Sequence, residues 1–216
     1  MIRRATVEDA RGIAEVHTRT WQEAYRHVFP AAELDGLDVG EREERWRHNL
    51  ADPDVPTFVA DEDDAVVGFV TVGPSRDPDC DGELYGIYVA PEAWGSGAGA
   101  ALMEAGLGEL RARYAAAVLW VLDDNPRARR FYEKHGWSPD GATKTGRHLG
   151  VDTEEVRYGI SLVGPRRHGP YLTAAHGLPD GSAAPGLVGS SGSGRSDELD
   201  VGSRGSSRAR SSKREG

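Results

Sequence analysis

A glycine-rich loop between a strand-like and a helix-like segment, within Gly82–Leu110, constrains the fold most. Residues 83–89 read ELYGIYV, which mixes aromatic and β-branched residues, and Pro91 follows shortly, so they predict a strand. A helix-like run at 100–114 comes after three glycines spaced by two, Gly95, Gly97 and Gly99. Without side chains several backbone N–H groups can converge there, and the helix N-terminus adds unpaired N–H groups and the positive end of its dipole. The segment therefore predicts a cradle for an anion, most naturally phosphate.

The same loop permits two other interpretations. Residues 95–100 satisfy the dinucleotide pattern G-x-G-x-x-G/A, and Asp123 or Asp124 follows about where a ribose-binding acid would be expected. A dinucleotide fold would need this unit to open a series of parallel βαβ repeats, whereas here it comes mid-chain and a single strand–helix unit follows. A glycine turn without a ligand is the third interpretation, although such a loop rarely needs three alternating glycines.

Two longer motifs carry a resemblance to a known family. Residues 87–102 read IYVAPEAWGSGAGAAL and resemble the acyl-CoA-binding motif of the GNAT superfamily of N-acetyltransferases. In that motif a Val-x-Pro strand end leads to (Arg/Gln)-x-(x)-Gly-x-Gly/Ala and a helix, and Trp94 stands where Arg or Gln is usual. Residues 121–137 read VLDDNPRARRFYEKHGW and resemble the later family motif, Asn-x-x-Ala-x-x-Phe-Tyr-Glu-Lys-x-Gly-Phe/Trp. The motifs come in the family's order, and the resemblance extends over roughly residues 1–163.

The resemblance implies an α/β GNAT fold for residues 1–163, a mixed central sheet of about six to seven strands with helices on both faces. Composition and periodicity independently predict strands at Ile2–Ala5, Thr57–Ala60, Ala65–Gly73, Ala117–Leu122, Ala142–Arg147 and Glu154–Leu162. Apolar residues at three- and four-residue steps predict a helix after Thr6. Further helices are predicted at Val39–Leu50 and Pro126–His135, and the charged run 41–47 is interpreted as a solvated helix face.

Residues 164–216 differ in composition from the rest of the chain. They contain 11 Gly and 10 Ser and little apolar periodicity, so we predict a disordered tail. They hold 8 of the 26 Lys/Arg and 5 of the 35 Asp/Glu, which leaves 18 and 30 for residues 1–163. This acidic domain is a poor nucleic-acid binder that attracts cations, including amines, although solubility alone explains its charge equally well. The basic end of the tail suits RNA or an acidic partner, or needs no partner.

Cysteine usage and hydropathy predict the compartment. Cys80 is the one cysteine of the sequence, which excludes an internal disulfide and a Cys-rich metal site and favours the reducing cytoplasm. The N-terminal residues lack an apolar signal region, and no stretch approaches about 18 apolar residues. We therefore expect a cytoplasmic protein without a metal or a membrane partner, and a homodimer is compatible with the sequence.

The resemblance also implies a cofactor, acetyl-CoA or another short acyl-CoA, and the residues that hold it. The main chain of Ile87, Tyr88 and Val89 would pair with the pantetheine arm. The cradle for the pyrophosphate would comprise Trp94, Gly95, Ser96, Gly97, Ala98 and Gly99. Asn125 resembles the family residue that contacts the cofactor, although capping its own helix would explain this asparagine equally well.

Acyl transfer to an amine sets the demands on the catalytic residues. An alkyl amine with a pKa of about 10.4 must lose a proton before it attacks the thioester. The resemblance implies direct attack in a ternary complex, so Cys80 has no required role. Glu83 lies near where several GNAT enzymes place a catalytic glutamate, and a solvated strand-end carboxylate is the alternative. Tyr132 matches the tyrosine that protonates the departing thiolate, with ordinary packing as the alternative. A backbone N–H from a strand bulge near Tyr88, consistent with Gly86, would stabilise the oxyanion.

The acceptor side is predicted from the first helix. Trp21 and Tyr25 lie on its apolar stripe, and the resemblance adds a second role, because GNAT proteins line the acceptor pocket with the end of this helix and the following loop. His17 is interpreted as a packed histidine rather than a base. The predicted function is acyl-CoA-dependent N-acylation, most simply acetylation, of a small-molecule or peptide amine. The alternatives are a non-catalytic acyl-CoA sensor, a dinucleotide-binding oxidoreductase and an RNA- or protein-binding adaptor.

Overall fold

Seven strands form one sheet in the computed structural model, which describes residues 1–163. They are β1 (Ile2–Arg4), β2 (Thr57–Glu62), β3 (Ala65–Pro74), β4 (Gly82–Val89), β5 (Ala116–Leu122), β6 (Ser138–His148) and β7 (Val151–Ser161). Their order across the sheet is β1-β2-β3-β4-β5-β7-β6, and β4–β5 is its parallel pair, whereas all other neighbours are antiparallel. The predicted mixed sheet is confirmed. The predicted tail, residues 164–216, lies outside the described residues.

Five α-helices belong to the described part of the chain. They are α1 (Ala10–Ala24), α2 (Ala31–Asp35), α3 (Val39–Leu50), α4 (Ala98–Arg113) and α5 (Pro126–Lys134), with 3₁₀ turns at Val7–Asp9 and Pro91–Ala93. None of the helices in residues 1–163 has the length and apolar character needed to cross a membrane.

The alternation of β3 shows how helices cover both faces of the sheet. Phe69 packs into a cluster with residues of α1 and with Trp46 of α3. Its neighbour Val70, and then Val72, pack instead with Leu102 and other residues of α4. Successive strand residues point to opposite faces, so this alternation assigns α1 and α3 to one face and α4 to the other.

The parallel pair β4–β5 is incomplete, and this creates the cleft described below. The two strands are in register only at Gly82↔Ala117 and Glu83↔Val118. β4 continues to pair with β3 as far as Val89, and β5 pairs with β7 along its whole length. From Leu84 onward, the β4 edge that faces β5 therefore has no strand partner among residues 1–163.

The charged run of α3 corrects one expectation. Ion pairs do join Arg47 to Glu43 and Glu44, as a solvated face requires. Arg42, however, is only 2% exposed. The helix packs against α1 through the face that carries Arg42 and Trp46, four residues apart. One arginine of the charged run is therefore buried, and the prediction of a solvated face is wrong for Arg42.

Two glycines in α4 provide a matched test of this packing. A Cβ at Gly108 would meet nothing within 4 Å, whereas at Gly106 it would lie 3.2 Å from Val70 Cγ2 and 3.3 Å from Val72 Cγ1. We expect Gly108→Ala to stabilise the fold by about 1 kcal/mol through helix propensity. Gly106→Ala should be at least about 1 kcal/mol less stable than Gly108→Ala, because the valines must move. Urea denaturation measures both, and equal stabilisation would contradict the close approach of α4 to β3.

Candidate active site

The gap between β4 and β5 opens into a cleft of about 1250 Å³. One part, the glycine-loop half, is lined by residues of 94–100 and of α5. The other part, the aromatic half, is lined by residues of α1, α3 and the β6–β7 hairpin. Asn125 bridges the two halves, because its Nδ2 lies 3.4 Å from the hydroxyl of Tyr25.

The glycine loop has the conformation that its sequence requires. Gly95 and Gly97 have φ of +85° and +96°, a region that residues with a Cβ rarely adopt. Gly97 is the N-cap of α4, and the Ser96 hydroxyl accepts a hydrogen bond from the Ala98 N–H at 3.2 Å. A Cβ at either Gly95 or Gly97 would meet nothing within 4 Å, so the space beside them is open. Gly99 differs, since its added Cβ would contact Phe131 of α5 at 3.5 Å.

Trp94 holds this loop to its neighbours. Its indole Nε1 donates a hydrogen bond to the Val89 carbonyl at 2.7 Å, and the Arg127 guanidinium lies 3.6 Å from the ring centroid. Three cationic residues of α5 line the same half of the cleft, Arg127, Arg130 and Lys134. A helix N-terminus, an open glycine turn and nearby cations together fit a polyphosphate, so these residues suit the predicted acyl-CoA.

The bulge in β4 lies earlier than expected. Thr71 is in register with Gly86 and Val72 with Leu84, so Tyr85 is the extra residue, three positions before Tyr88. A Cβ at Gly86 would lie 2.8 Å from Cε2 of Tyr88. The glycine therefore makes room for the Tyr88 ring beside the bulge. All three predicted strand residues, Ile87, Tyr88 and Val89, line the cleft.

Two predicted residues of α5 line the cleft close to this strand. Asn125 caps the helix, because its Oδ1 accepts a hydrogen bond from the Ala128 N–H at 3.0 Å. Tyr132 is 7% exposed and lines the cleft. Burial, and secondarily Tyr88, raises the pKa of Tyr132 above its ordinary value, so the hydroxyl carries its proton throughout the neutral range.

The structure places Glu83 apart from the other predicted site residues. Its side chain is 1% exposed and does not line the cleft, although Arg76 and Tyr85 do. Arg76 holds the carboxylate with Nη2 at 2.5 Å from Oε1 and with its backbone N–H at 3.0 Å from Oε2. Arg76 is thus the member of this ion pair that lines the cleft.

The aromatic half contains both predicted acceptor residues. Trp21 stacks on Phe29 with ring centroids 5.6 Å apart and meets Tyr25 edge-on at 5.0 Å. His17 lies 4.6 Å from the Tyr88 ring, and burial, then the charges of Arg42 and Arg45, hold its pKa well below 6.5. His17 is thus a neutral, packed histidine, as its position on the apolar stripe predicts.

Glu155, His148 and Lys144 also line the cleft, although none of them was predicted from the sequence as a site residue. Glu155 Oε1 lies 2.7 Å from His148 Nε2, and Oε2 lies 3.3 Å from Lys144 Nζ. Burial would raise the pKa of Glu155, but the His148 hydrogen bond and the Lys144 charge together hold it below its ordinary value. Gly146 leaves room for this pair, because a Cβ there would lie 2.9 Å from Glu155 Oε1 and 2.9 Å from His148 Nε2. Glu155 lies two positions after Thr153 on β7, so both side chains point to the same, buried face of the strand. This alternation was the feature of the sequence that could have identified Glu155.

The comparisons with known proteins agree with this geometry. The family model described as the acetyltransferase (GNAT) family matches residues 14–137. An uncharacterized N-acetyltransferase YuaI of Bacillus subtilis is 34% identical over 163 residues, which cover 73% of this chain and 91% of that protein. The uncharacterized N-acetyltransferase Rv2669 of Mycobacterium tuberculosis is 35% identical over 149 residues, 68% of this chain and 92% of that protein.

Solved structures share the fold at lower identity. The PaiA N-acetyltransferase of Thermoplasma acidophilum in complex with coenzyme A has a TM-score of 0.61 and 18% identity, covering 74% of this chain and 98% of that one. An N-acetyltransferase of Staphylococcus aureus Mu50 has a TM-score of 0.60 and 24% identity, covering 76% and 98%.

The glycine cradle is tested by a charge placed within it. We expect Gly97→Asp to weaken acetyl-CoA binding at least about 100-fold, because a carboxylate would face the phosphates. Gly97→Asn is the matched control, since it has the same size and a similar tolerance of positive φ but no charge, and it should weaken binding much less. Calorimetric titration of the full chain with acetyl-CoA measures both. Equal loss in the two variants would indicate backbone strain rather than phosphate repulsion.

Proposed function

Because the chain belongs to the GNAT acetyltransferase family, we propose that it is an acyl-CoA-dependent N-acyltransferase that acetylates a primary amine. The observation that carries this proposal is the single cleft in which the open glycine turn at the start of α4 is joined to an aromatic pocket containing a carboxylate–imidazole pair. One half suits a polyphosphate and the other an amine.

The glycine-loop half would hold the cofactor. N–H groups of residues 95–99 and the cations of α5 would bind its phosphates, and the unpaired edge of β4 at 87–89 would bind the pantetheine arm. Bound acetyl-CoA, or another short acyl-CoA, would supply an activated thioester. The coenzyme A bound by the PaiA neighbour supports this assignment.

The aromatic half would bind the amine and take its proton. We propose Glu155 with His148 as the proton acceptor, because this pair lines the cleft beside Trp21 and Tyr25. Glu83 remains the second candidate, since its carboxylate is held by Arg76 outside the cleft lining. Trp21 and Tyr25, which also line the cleft, would contact the acceptor and orient it.

Groups on β4 and α5 would complete the transfer. The bulge at Tyr85 turns the strand next to Gly86, and a backbone N–H from this part of β4 would stabilise negative charge on the thioester oxygen. Tyr132, protonated at neutral pH, would donate its proton to the leaving sulfur. A thiol with a pKa of about 8.5 leaves readily, so this acid assists but is not indispensable.

Other functions remain as outcomes of the same measurements. An acyl-CoA sensor would bind the cofactor without turnover, and an adaptor would depend on residues 164–216. A dinucleotide-binding oxidoreductase is disfavoured, because β4–β5 is the one parallel pair in the described sheet. A cytoplasmic location and a homodimer stay predictions.

The general base is identified by comparing two isosteric variants. We expect Glu155→Gln to lower kcat at least about 100-fold at neutral pH, since the amide cannot accept the proton. Glu83→Gln should lower kcat by less than about 10-fold, because its carboxylate does not face the cleft. Thiol release from acetyl-CoA is the assay, and the reverse ranking would assign the base to Glu83.

Tyr132→Phe tests the proposed acid. We expect a loss of roughly 10-fold in kcat with unchanged acetyl-CoA affinity, because the phenyl ring preserves packing and the thiol is a good leaving group. Stopped-flow thiol release and calorimetry measure the two quantities. An unchanged kcat at saturating substrate would reduce Tyr132 to a packing residue.

A further inference from the structure

Arg42 has a feature that the proposed chemistry does not use. Its side chain lines the cleft and is 2% exposed, and none of Nε, Nη1 and Nη2 has a hydrogen-bond partner among residues 1–163. The guanidinium carbon lies 5.6 Å from the Trp21 ring centroid. Burial, and the neighbouring charge of Arg45, lowers the pKa of Arg42 to about 10, so the group still carries its charge at neutral pH. The aromatic half of the cleft thus contains a buried cation without a counterion.

The same fold pairs its other enclosed arginine. Arg157 is 14% exposed and binds three carboxylates, those of Asp77, Asp79 and Asp140, at 3.2, 2.8 and 2.7 Å. A buried guanidinium without such partners destabilises a folded protein. The unpaired state of Arg42 is therefore a local property of the cleft, where a ligand could supply the missing acceptor.

A second polar side chain at this point is also unsatisfied. Both ring nitrogens of His17 are buried without a hydrogen-bond partner in the described chain, and the ring lies on the cleft. The charge of Arg42 contributes to the lowered pKa of His17. Burial raises the pKa of Tyr88, and the charges of Arg42 and Glu155 act on it in opposite directions. A cationic group and an anionic group thus flank the same tyrosine in the aromatic half.

We propose that Arg42 binds a carboxylate carried by the acceptor, so that the acceptor is an amino acid or a related amino-carboxylate. This inference rests on the proposed function. A guanidinium matches a planar carboxylate through two parallel hydrogen bonds. Glu155 on the same cleft suits the ammonium end of such a molecule, and it would repel a dianion such as phosphate. The aromatic rings of Trp21 and Tyr25 would contact the side chain of such an amino acid.

The first test compares acceptors with and without this carboxylate. The twenty common amino acids are assayed with the full chain and acetyl-CoA by thiol release, each beside its carboxamide and its decarboxylated amine. For the amino acid with the highest turnover, we expect kcat/KM to exceed that of the carboxamide at least about 100-fold, because the carboxamide gives Arg42 neither a negative charge nor a second acceptor oxygen.

Variants of Arg42 test whether the preference for a carboxylate depends on this residue. In Arg42→Met the kcat/KM of the amino acid should exceed that of its carboxamide by less than about 10-fold, mainly because the KM of the amino acid rises. Arg42→Lys should retain part of the preference for the amino acid. Because the same two acceptors are compared in each protein, their difference in amine basicity cancels. Arg47→Met is the matched control, since Arg47 lies on the same helix in surface ion pairs, and it should leave the ratio unchanged.

Thermal stability without acceptor provides an independent readout. Arg42→Met should raise Tm by a few degrees, because a flexible apolar chain replaces an unpaired buried charge. A structural arginine would give the opposite sign. A fall in Tm for Arg42→Met would therefore overturn the inference.

Different results would overturn the acetyltransferase function and the role of Arg42. Absence of acetyl-CoA binding and of thiol release with every amine would overturn the proposed function itself. Acetyl-CoA binding with turnover of amides or simple amines at rates equal to or above those of the acids would overturn the role of Arg42 alone. Acetyl-CoA binding without turnover of any amino-carboxylate would do the same.

Discussion

The incomplete pairing of β4 with β5 is the constraint on which the remaining structure depends. Two strands that share only two register positions leave backbone N–H and C=O groups on their facing edges without a strand partner. Buried backbone groups require hydrogen-bond partners, so an opening of this kind persists only where water or a ligand reaches it. The glycine turn, the N-terminus of α4 and the helix α5 all lie around this opening, and a pantetheine arm would serve as the missing strand.

Buried charges are paired in one part of the described structure and left unpaired in another. Glu83 and Arg76 satisfy each other at the start of β4, and Arg157 binds three aspartates. In the aromatic half, Arg42 is enclosed without a partner from the described chain. An unpaired buried guanidinium is costly, and a carboxylate carried by the acceptor would offset that cost.

The residues found from the sequence and those missed differ in the range of the interactions that define them. Gly95 and Gly97 were identified because a positive φ is a local requirement, and Asn125 because capping involves residues three positions apart. A bulge in β4 was predicted near Tyr88, whereas the extra residue is Tyr85. Its position could not be read from the sequence, because the pairing of β4 with Thr71 and Val72 of β3 fixes it. Glu155 and His148 were missed because their contact depends on the register of the β6–β7 hairpin.

The sequence by itself determined the order strand, glycine turn, helix, the mixed sheet and the family, because local periodicity, turn chemistry and ordered motifs encode them. Only the tertiary structure decided which charges are buried. Arg42 belongs to a run of six charged residues in the seven positions from Glu41 to Arg47 that predicts a solvated face, and the packing of α3 on α1 encloses it. Burial depends on what the rest of the chain places against a residue, so a linear pattern cannot specify it.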